Sequence, residues 1–359
     1  MTVLALDIGG TKFAAAAVTA DGGMTARAEV PLSGAGSPDR ALAQVVEQIT
    51  ARVPADAIEG VGIGSAGPLD VRAGTVSPVN IPRWRDFPLA GAVGRMLPGR
   101  PVRLAGDAQC MALGEWWRGT FPADPETPEE PGAAAGTPPG TPGAPGTATG
   151  AAPGSPGAPG TASGAASGPG EEPWRPGSRA VLGVVVSTGV GGGFVLDGVP
   201  YLGPTGNAGH IGHITVDPGG DPCPCGASGC VETIASGPAM VRWARAGGWT
   251  GADARALAAS ARAGSEIAQA AFSRAADALA TAFHTAAALL DLDRVVVGGG
   301  VAAAGPVLFG PLRQAVAENA GLGFTRRLRV DATSLGRDAG LLGAAALVLP
   351  PRPPAPRAP

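Results

Sequence analysis

The chain opens with three short apolar runs, "TVLALDI", "FAAAAVT" and "ARAEVPL". They are separated by "GGTK" and "ADGG", a pattern that predicts three consecutive strands joined by tight turns. "SPDRALAQVVEQITARV" then changes period: its apolar residues recur at helical spacing, and Ser37 stands where an N-cap belongs. "GVGIGS" and "PVRLAG" read as further strands, and "DAQCMALGEWWRG" as a helix starting at or near Asp107. Later in the chain, "RAVLGVVVS" and "GGFVLDG" repeat the order strand, Gly-rich turn, strand. Helical patterning dominates from Val231 to Leu290, broken near "GGWTGAD". "DRVVVGGG" is a buried strand ending in glycines, and "RDAGLLGAAALVL" is a closing helix with Asp338 as its expected cap. A strand and a Gly-rich turn in each half predict a mixed α/β chain resembling a duplicated phosphate-binding fold.

Between the halves, residues 121–178 are almost entirely Pro, Gly, Ala, Ser and Thr. Such a segment cannot bury enough apolar surface to offset the entropy of ordering, so a disordered insertion is expected there. It could tether a partner, but expansion of an exposed loop is the plainer reading. Without it the 359-residue chain shortens to roughly 300, enough for two domains. The expected division is an N-terminal α/β domain over 1–118, completed by the closing helix at 338–349, and a larger α/β domain over 179–337. A disordered tail is expected at 350–359.

A formal net charge of -3 gives no electrostatic footprint for nucleic acid, and no apolar run is long enough to span a bilayer. No basic n-region precedes the first apolar run. Four cysteines, three of them closely spaced, do not form the disulfide framework of a small secreted domain, so a reducing, cytoplasmic setting is expected.

The chemistry concentrates in glycine turns and one cluster. "DIGGTK", Asp7 to Lys12, sets Gly9 and Gly10 directly after a strand, where bare amides can approach phosphate oxygens and Thr11 adds a hydroxyl. "STGVGGG" repeats the design with Thr188 and Gly189, and Gly298 to Gly300 make a third turn. None is a Walker A loop. Three such turns at strand ends point to an ATP cleft. "GHIGHITVDPGGDPCPCGASGCVE", Gly209 to Glu232, holds two of the three histidines and three of the four cysteines of the chain. His213, Cys223, Cys225 and Cys230 supply one nitrogen and three sulfurs, the closed donor set of structural Zn2+.

Together "LDIGGTK", "VVSTGVGGGFVLDG", "GHIGH", "CPCGASGCVE" and "GRDAGLLGAA" resemble the sugar kinases and repressors of the ROK family. The resemblance covers the chain apart from the insertion and the tail. It implies the α/β actin-like ATPase fold (ribonuclease H-like, hexokinase superfamily), with two domains and an interdomain cleft. It also implies ATP and Mg2+ as cofactors, a small-molecule sugar as substrate, and a homodimer. The same four zinc ligands are implied, with His213 and Glu232 facing the sugar. Asp107 would be the catalytic base, although the family's Asn-Asp pair reads Gly106-Asp107 here. Asn80 and Gly67 would line the sugar pocket, and Asp7 would partner Mg2+ directly or through water. Gly299 and Lys12 complete the expected nucleotide side. His210 replaces the Glu of the glucose-specific "GEIGH" string, which favours an N-acetylhexosamine, N-acetylmannosamine first, over glucose. Repressors of the family carry a helix-turn-helix ahead of the "DIGGTK" strand, so the kinase is the expected activity.

Overall fold

The structure, a computed structural model, describes residues 1–79, 81–118 and 180–350. The expectations for Asn80, for the insertion at 121–178 and for the tail beyond Pro350 lie outside the described residues.

The three opening runs form β1 (Thr2–Ile8), β2 (Lys12–Thr19) and β3 (Met24–Pro31), an antiparallel meander. Helix α1 (Pro38–Thr50) follows, and Ser37 Oγ accepts the Arg40 amide at its start. β4 (Ile58–Ser65) returns parallel to β1. The short β5 (Leu69–Asp70) and β6 (Thr75–Val76) make a separate ladder, and α2 (Leu89–Met96) leads to β7 (Val102–Gly106). The first sheet is therefore ordered β3-β2-β1-β4-β7, and α3 (Asp107–Arg118) leaves its last strand without a gap.

The second half repeats this plan. β8 (Ala180–Val186), β9 (Val190–Leu196) and β10 (Val199–Tyr201) form another antiparallel meander. Four helices follow: α4 (Val231–Ala235), α5 (Gly237–Ala246), α6 (Ala254–Arg262) and α7 (Glu266–Leu290). β11 (Arg294–Gly298), α8 (Pro306–Glu318) and β12 (Arg329–Ala332) then complete a sheet ordered β10-β9-β8-β11-β12, with both parallel pairings kept. The closing helix α9 (Ala339–Ala346) is shorter than its sequence pattern at both ends: Gly336–Asp338 wind as a 3-10 turn, and the helix stops before Leu347.

Alternation along β1 explains why both faces of the first sheet are covered. Leu4, Leu6 and Ile8 pack with Leu42, Val45 and Ile49 of α1, whereas Val3 and Ala5 turn to Leu341, Ala344 and Ala345 of α9. The α9 face is lined by small residues such as Ala14 and Ala16, which let the helix sit close. Helices α3 and α9 pack on each other, α3 also against β8 and β9, and α9 against β1 and β4. Backbone meets backbone along this stack. A Cβ on Gly62 of β4 would fall 1.7 Å from the Ala344 carbonyl oxygen, one on Gly343 1.5 Å from that of Cys110, and one on Gly183 2.2 Å from that of Ala108. Glu115, 2% exposed, adds a polar bolt: its carboxylate accepts Thr333 Oγ1, Ser334 Oγ and the Leu335 amide, tying α3 to the segment that enters α9.

Gly343→Ala is therefore expected to cost about 3 kcal/mol or more, since only a separation of α3 from α9 makes room for the methyl. Gly94→Ala in α2, whose Cβ would meet nothing nearer than 4.0 Å, should instead gain about 0.5–1 kcal/mol. Denaturant melts of both variants check the contrast.

Candidate active site

The strand ends of the two sheets open on one cavity of about 1080 Å³. From the first half it is lined by Asp7, Gly9, Gly10, Thr11, Lys12 and Gly67, with Gly106 and Asp107 at the β7–α3 junction. The second half supplies Thr188, Gly189 and Gly299 from glycine turns, and His210, His213 and Glu232 from the zinc-type loop. Every described residue expected to bind sugar or nucleotide thus meets here. Cys223, Cys225 and Cys230 gather with His213 in a separate cluster beside it.

Asp107 is the first residue of α3, and its Oδ1 accepts the Ala108 amide at 2.7 Å. Burial pushes its carboxyl above the usual range, against the pull of that amide. Asp7, at the end of β1, is pushed up to about 7, first by burial and then by the charge of Asp107, while Lys12 and Arg27 pull it down. Two enclosed carboxylates, one of them raised by the charge of the other, fit a divalent oxygen-seeking cation, so the site suits Mg2+. Lys12 Nζ lies 2.8 Å from Glu29, which Arg27 joins at 3.3 Å. Arg27 also pairs with Asp338 at 3.0 Å. This corrects the expectation for Asp338: it occupies the N-cap position of α9 but makes no cap bond, because the guanidinium draws its carboxylate away.

Two side chains that sequence reasoning missed fix the geometry around Gly67 and Gly106. Gln109, 1% exposed, accepts the Gly106 amide at 2.9 Å and donates to the carbonyls of Tyr201 and Ala208 at 3.1 and 3.3 Å. A Cβ on Gly106 would stand 3.1 Å from Gln109 Oε1, so a larger residue at 106 would crowd this amide. Gln109 is spent on backbone partners and is no replacement for an Asn at 106. Asn207 clasps both backbone groups of Leu69, at 3.0 Å from its amide and 2.7 Å to its carbonyl, and so sets the Gly67 loop against His210. A Cβ on Gly67 would reach 3.1 Å from His210 Nε2. Burial and His213 lower the proton affinity of His210, and Glu232 partly restores it. The signal for Gln109 was a polar residue inside the apolar run of α3, a position that demands bonded partners.

Two donor pairs of the cluster stand at the spacing zinc requires. Cys225 and Cys230 Sγ are 3.7 Å apart, Cys223 Sγ and His213 Nδ1 are 3.6 Å apart, and all four donors lie within 4.8 Å. Zn–S bonds of about 2.3 Å and Zn–N bonds of about 2.0–2.1 Å give tetrahedral edges of roughly 3.6–3.8 Å. Gly226 and Gly229 turn the loop with positive φ, and Gly229 lies against the Asp217 carbonyl, where no Cβ fits. Burial pushes the Cys230 thiol up to about 12, whereas the Ala227 amide lowers that of the exposed Cys225. Among the described residues, no helix is long and apolar enough to cross a membrane.

Comparison with known proteins agrees with this architecture. The ROK family model matches residues 3–121 and 171–350. The chain is 33% identical to N-acetylmannosamine kinase of Escherichia coli O157:H7, over 97% of this chain and 98% of that one. It is 29% identical to glucokinase of Thermotoga maritima over 97% of each. Its fold superposes with a TM-score of 0.70 on a ROK family glucokinase from Streptomyces griseus in complex with glucose and AMPPNP, 28% identical, over 97% of this chain and 99% of that one. The two matching five-stranded sheets are the actin-like ATPase arrangement.

Two outcomes are expected. Cys225→Ala should lose bound zinc, read by metal analysis, together with thermal stability. In metal-free, ligand-free protein, the raised Asp7 carboxyl contributes stability fully below about pH 4, and loses it as pH rises through about 7. Asp7→Asn should therefore match wild type near pH 4 and exceed it increasingly towards pH 8, by up to roughly 4 kcal/mol in denaturant titrations.

Proposed function

The chain belongs to the ROK family, and from that premise we propose that it is an ATP-dependent kinase acting on the 6-hydroxyl of an N-acetylhexosamine, N-acetylmannosamine in the first place. The observation that carries the reading is Asp107 at the start of α3, in the same cavity as the three glycine turns. Burial raises its affinity for a proton, which makes it a stronger base than an exposed aspartate. It takes the proton of the sugar hydroxyl while that oxygen attacks the γ-phosphorus, and the bond to the bridging oxygen of ADP breaks. Amides of Gly9, Gly10 and Gly189, with the hydroxyls of Thr11 and Thr188, hold the phosphates. Mg2+, held by Asp7 directly or through water, supplies charge neutralisation when bound.

On the acceptor side, Gly67, His210, His213 and Glu232 face the sugar, with Asn80 proposed beside them. His213 can serve both metal and substrate, because its Nδ1 is the atom turned to the cysteines and Nε2 is left over. Zn2+ with four protein ligands has no open position, so its part is to shape the loop. His210 offers an imidazole donor at the sugar's anomeric end, where a carboxylate would only accept. Glucose phosphorylation is the second reading, favoured by the relative named glucokinase.

A coupled ADP-release assay should give the highest kcat/KM with N-acetylmannosamine among that sugar, glucose, mannose and N-acetylglucosamine. His210→Glu should move the preference towards glucose, and Asp107→Asn should lose roughly 10²–10⁴-fold in kcat while still binding sugar. A wild-type preference for glucose would overturn the substrate choice, and full turnover by Asp107→Asn would overturn the mechanism.

A further inference from the structure

The turn between β8 and β9 is gripped by α4 and by the first residue of α5. In the first turn of α4, Glu232 Oε2 accepts the backbone amide of Val190 at 2.9 Å. Just beyond its last residue, the Gly237 amide donates to the Ser187 carbonyl at 2.8 Å. Within the turn, the Ser187 amide donates to the Gly189 carbonyl at 2.8 Å. The peptide joining Gly189 to Val190 is thus pinned at both edges, its N–H by Glu232 and its C=O by Ser187. Its plane is therefore set, and with it the place where the chain leaves Gly189. The carboxylate stands so near that a Cβ on Gly189 would come within 2.5 Å of Oε2.

The N-terminal end of α4, which carries Glu232, belongs to the zinc-type loop. Cys230 is its N-cap residue, the Val231 amide donates to the Ile214 carbonyl at 3.0 Å, and Thr215 bridges Cys230. Ile214 directly follows His213. One five-residue helix therefore starts among the metal-type ligands and carries the carboxylate that meets the glycine turn.

We propose that Glu232 is a positioning residue for the phosphate-side turn Ser187–Val190, so that the Cys3His loop acts on the nucleotide as well as on the sugar. The inference rests on the reading of the cavity as a nucleotide and sugar cleft. It assigns the two oxygens of one carboxylate to different partners: Oε2 aligns the turn that receives the donor's phosphates, and Oε1 is left for the acceptor. It also gives a reason for glycine at 189, since any side chain there would strike the carboxylate.

The test is AMPPNP binding by calorimetry, with Mg2+, on protein of measured zinc content. Glu232→Ala should weaken AMPPNP roughly tenfold, the loss of one well-placed hydrogen bond and the order it imposes. Glu232→Gln keeps an acceptor oxygen and should stay within roughly threefold of wild type. Gly189→Ala, which touches no metal-type ligand, should weaken binding in the wild-type background. It should add almost nothing in the Glu232→Ala background, where the carboxylate it strikes is gone. Wild-type affinity in Glu232→Ala, or losses that multiply in the double variant, would overturn the inference and leave the kinase reading standing. A wild-type protein that does not bind AMPPNP would overturn both.

Discussion

Close approach of backbones at glycine is the constraint on which the rest of this molecule depends. β4, α9, α3 and β8 are stacked in that order, and at Gly62, Gly343 and Gly183 the neighbouring carbonyls occupy the space of a side chain. Two sheets of the same topology are thereby held on either side of a helix pair, with little freedom for the helices to slide. The chemistry inherits that rigidity. Asp107 is the first residue of α3, and Gly340 of α9 backs Asp7 so nearly that a Cβ there would lie 3.1 Å from its carboxylate. Glu115 completes the arrangement, because a buried carboxylate is tolerated only where donors meet it, and Thr333, Ser334 and Leu335 provide them.

Charge organises the cavity in a complementary way. Asp7 and Asp107 are enclosed together, and each suffers from burial, so this cavity is by itself an unfavourable place for two anions. A hard divalent cation offsets that cost among oxygens, while the softer set of three thiols and an imidazole suits zinc a short distance away. Along the wall, Lys12, Glu29, Arg27 and Asp338 alternate in sign from the first glycine turn to the entrance of α9. These pairs are partly exposed and add little to stability, but they orient the Lys12 ammonium beside the turn.

How much was legible beforehand follows from how local each feature is. The three opening strands, α1 with its Ser37 cap, and the strand that ends in Gly298 could be read from periodicity and turn residues. β12 could not: four residues, "RVDA", carry no period of their own, and only the parallel register with β11 makes them a strand. Helix α8 was hidden by Pro311 within it, and α9 was overextended because apolar residues continue past its end. Asp338 looked like a cap because short polar residues before helices usually are, yet a guanidinium 311 positions away claimed it.

The sequence by itself determined what contiguous residues can encode: the elements, the glycine turns at strand ends, and a donor set whose spacing brings one nitrogen and three sulfurs together. Those features depend on local backbone geometry and on ligand chemistry, which short stretches carry with them. Only the tertiary structure decided which groups share an environment. The push of Asp107 on Asp7, the clasp of Asn207 on Leu69 and the bond from Val190 to Glu232 join residues 42 to 138 positions apart. Burial and hydrogen bonding act over ångströms in space, so they appear only once the chain has folded and those distances exist.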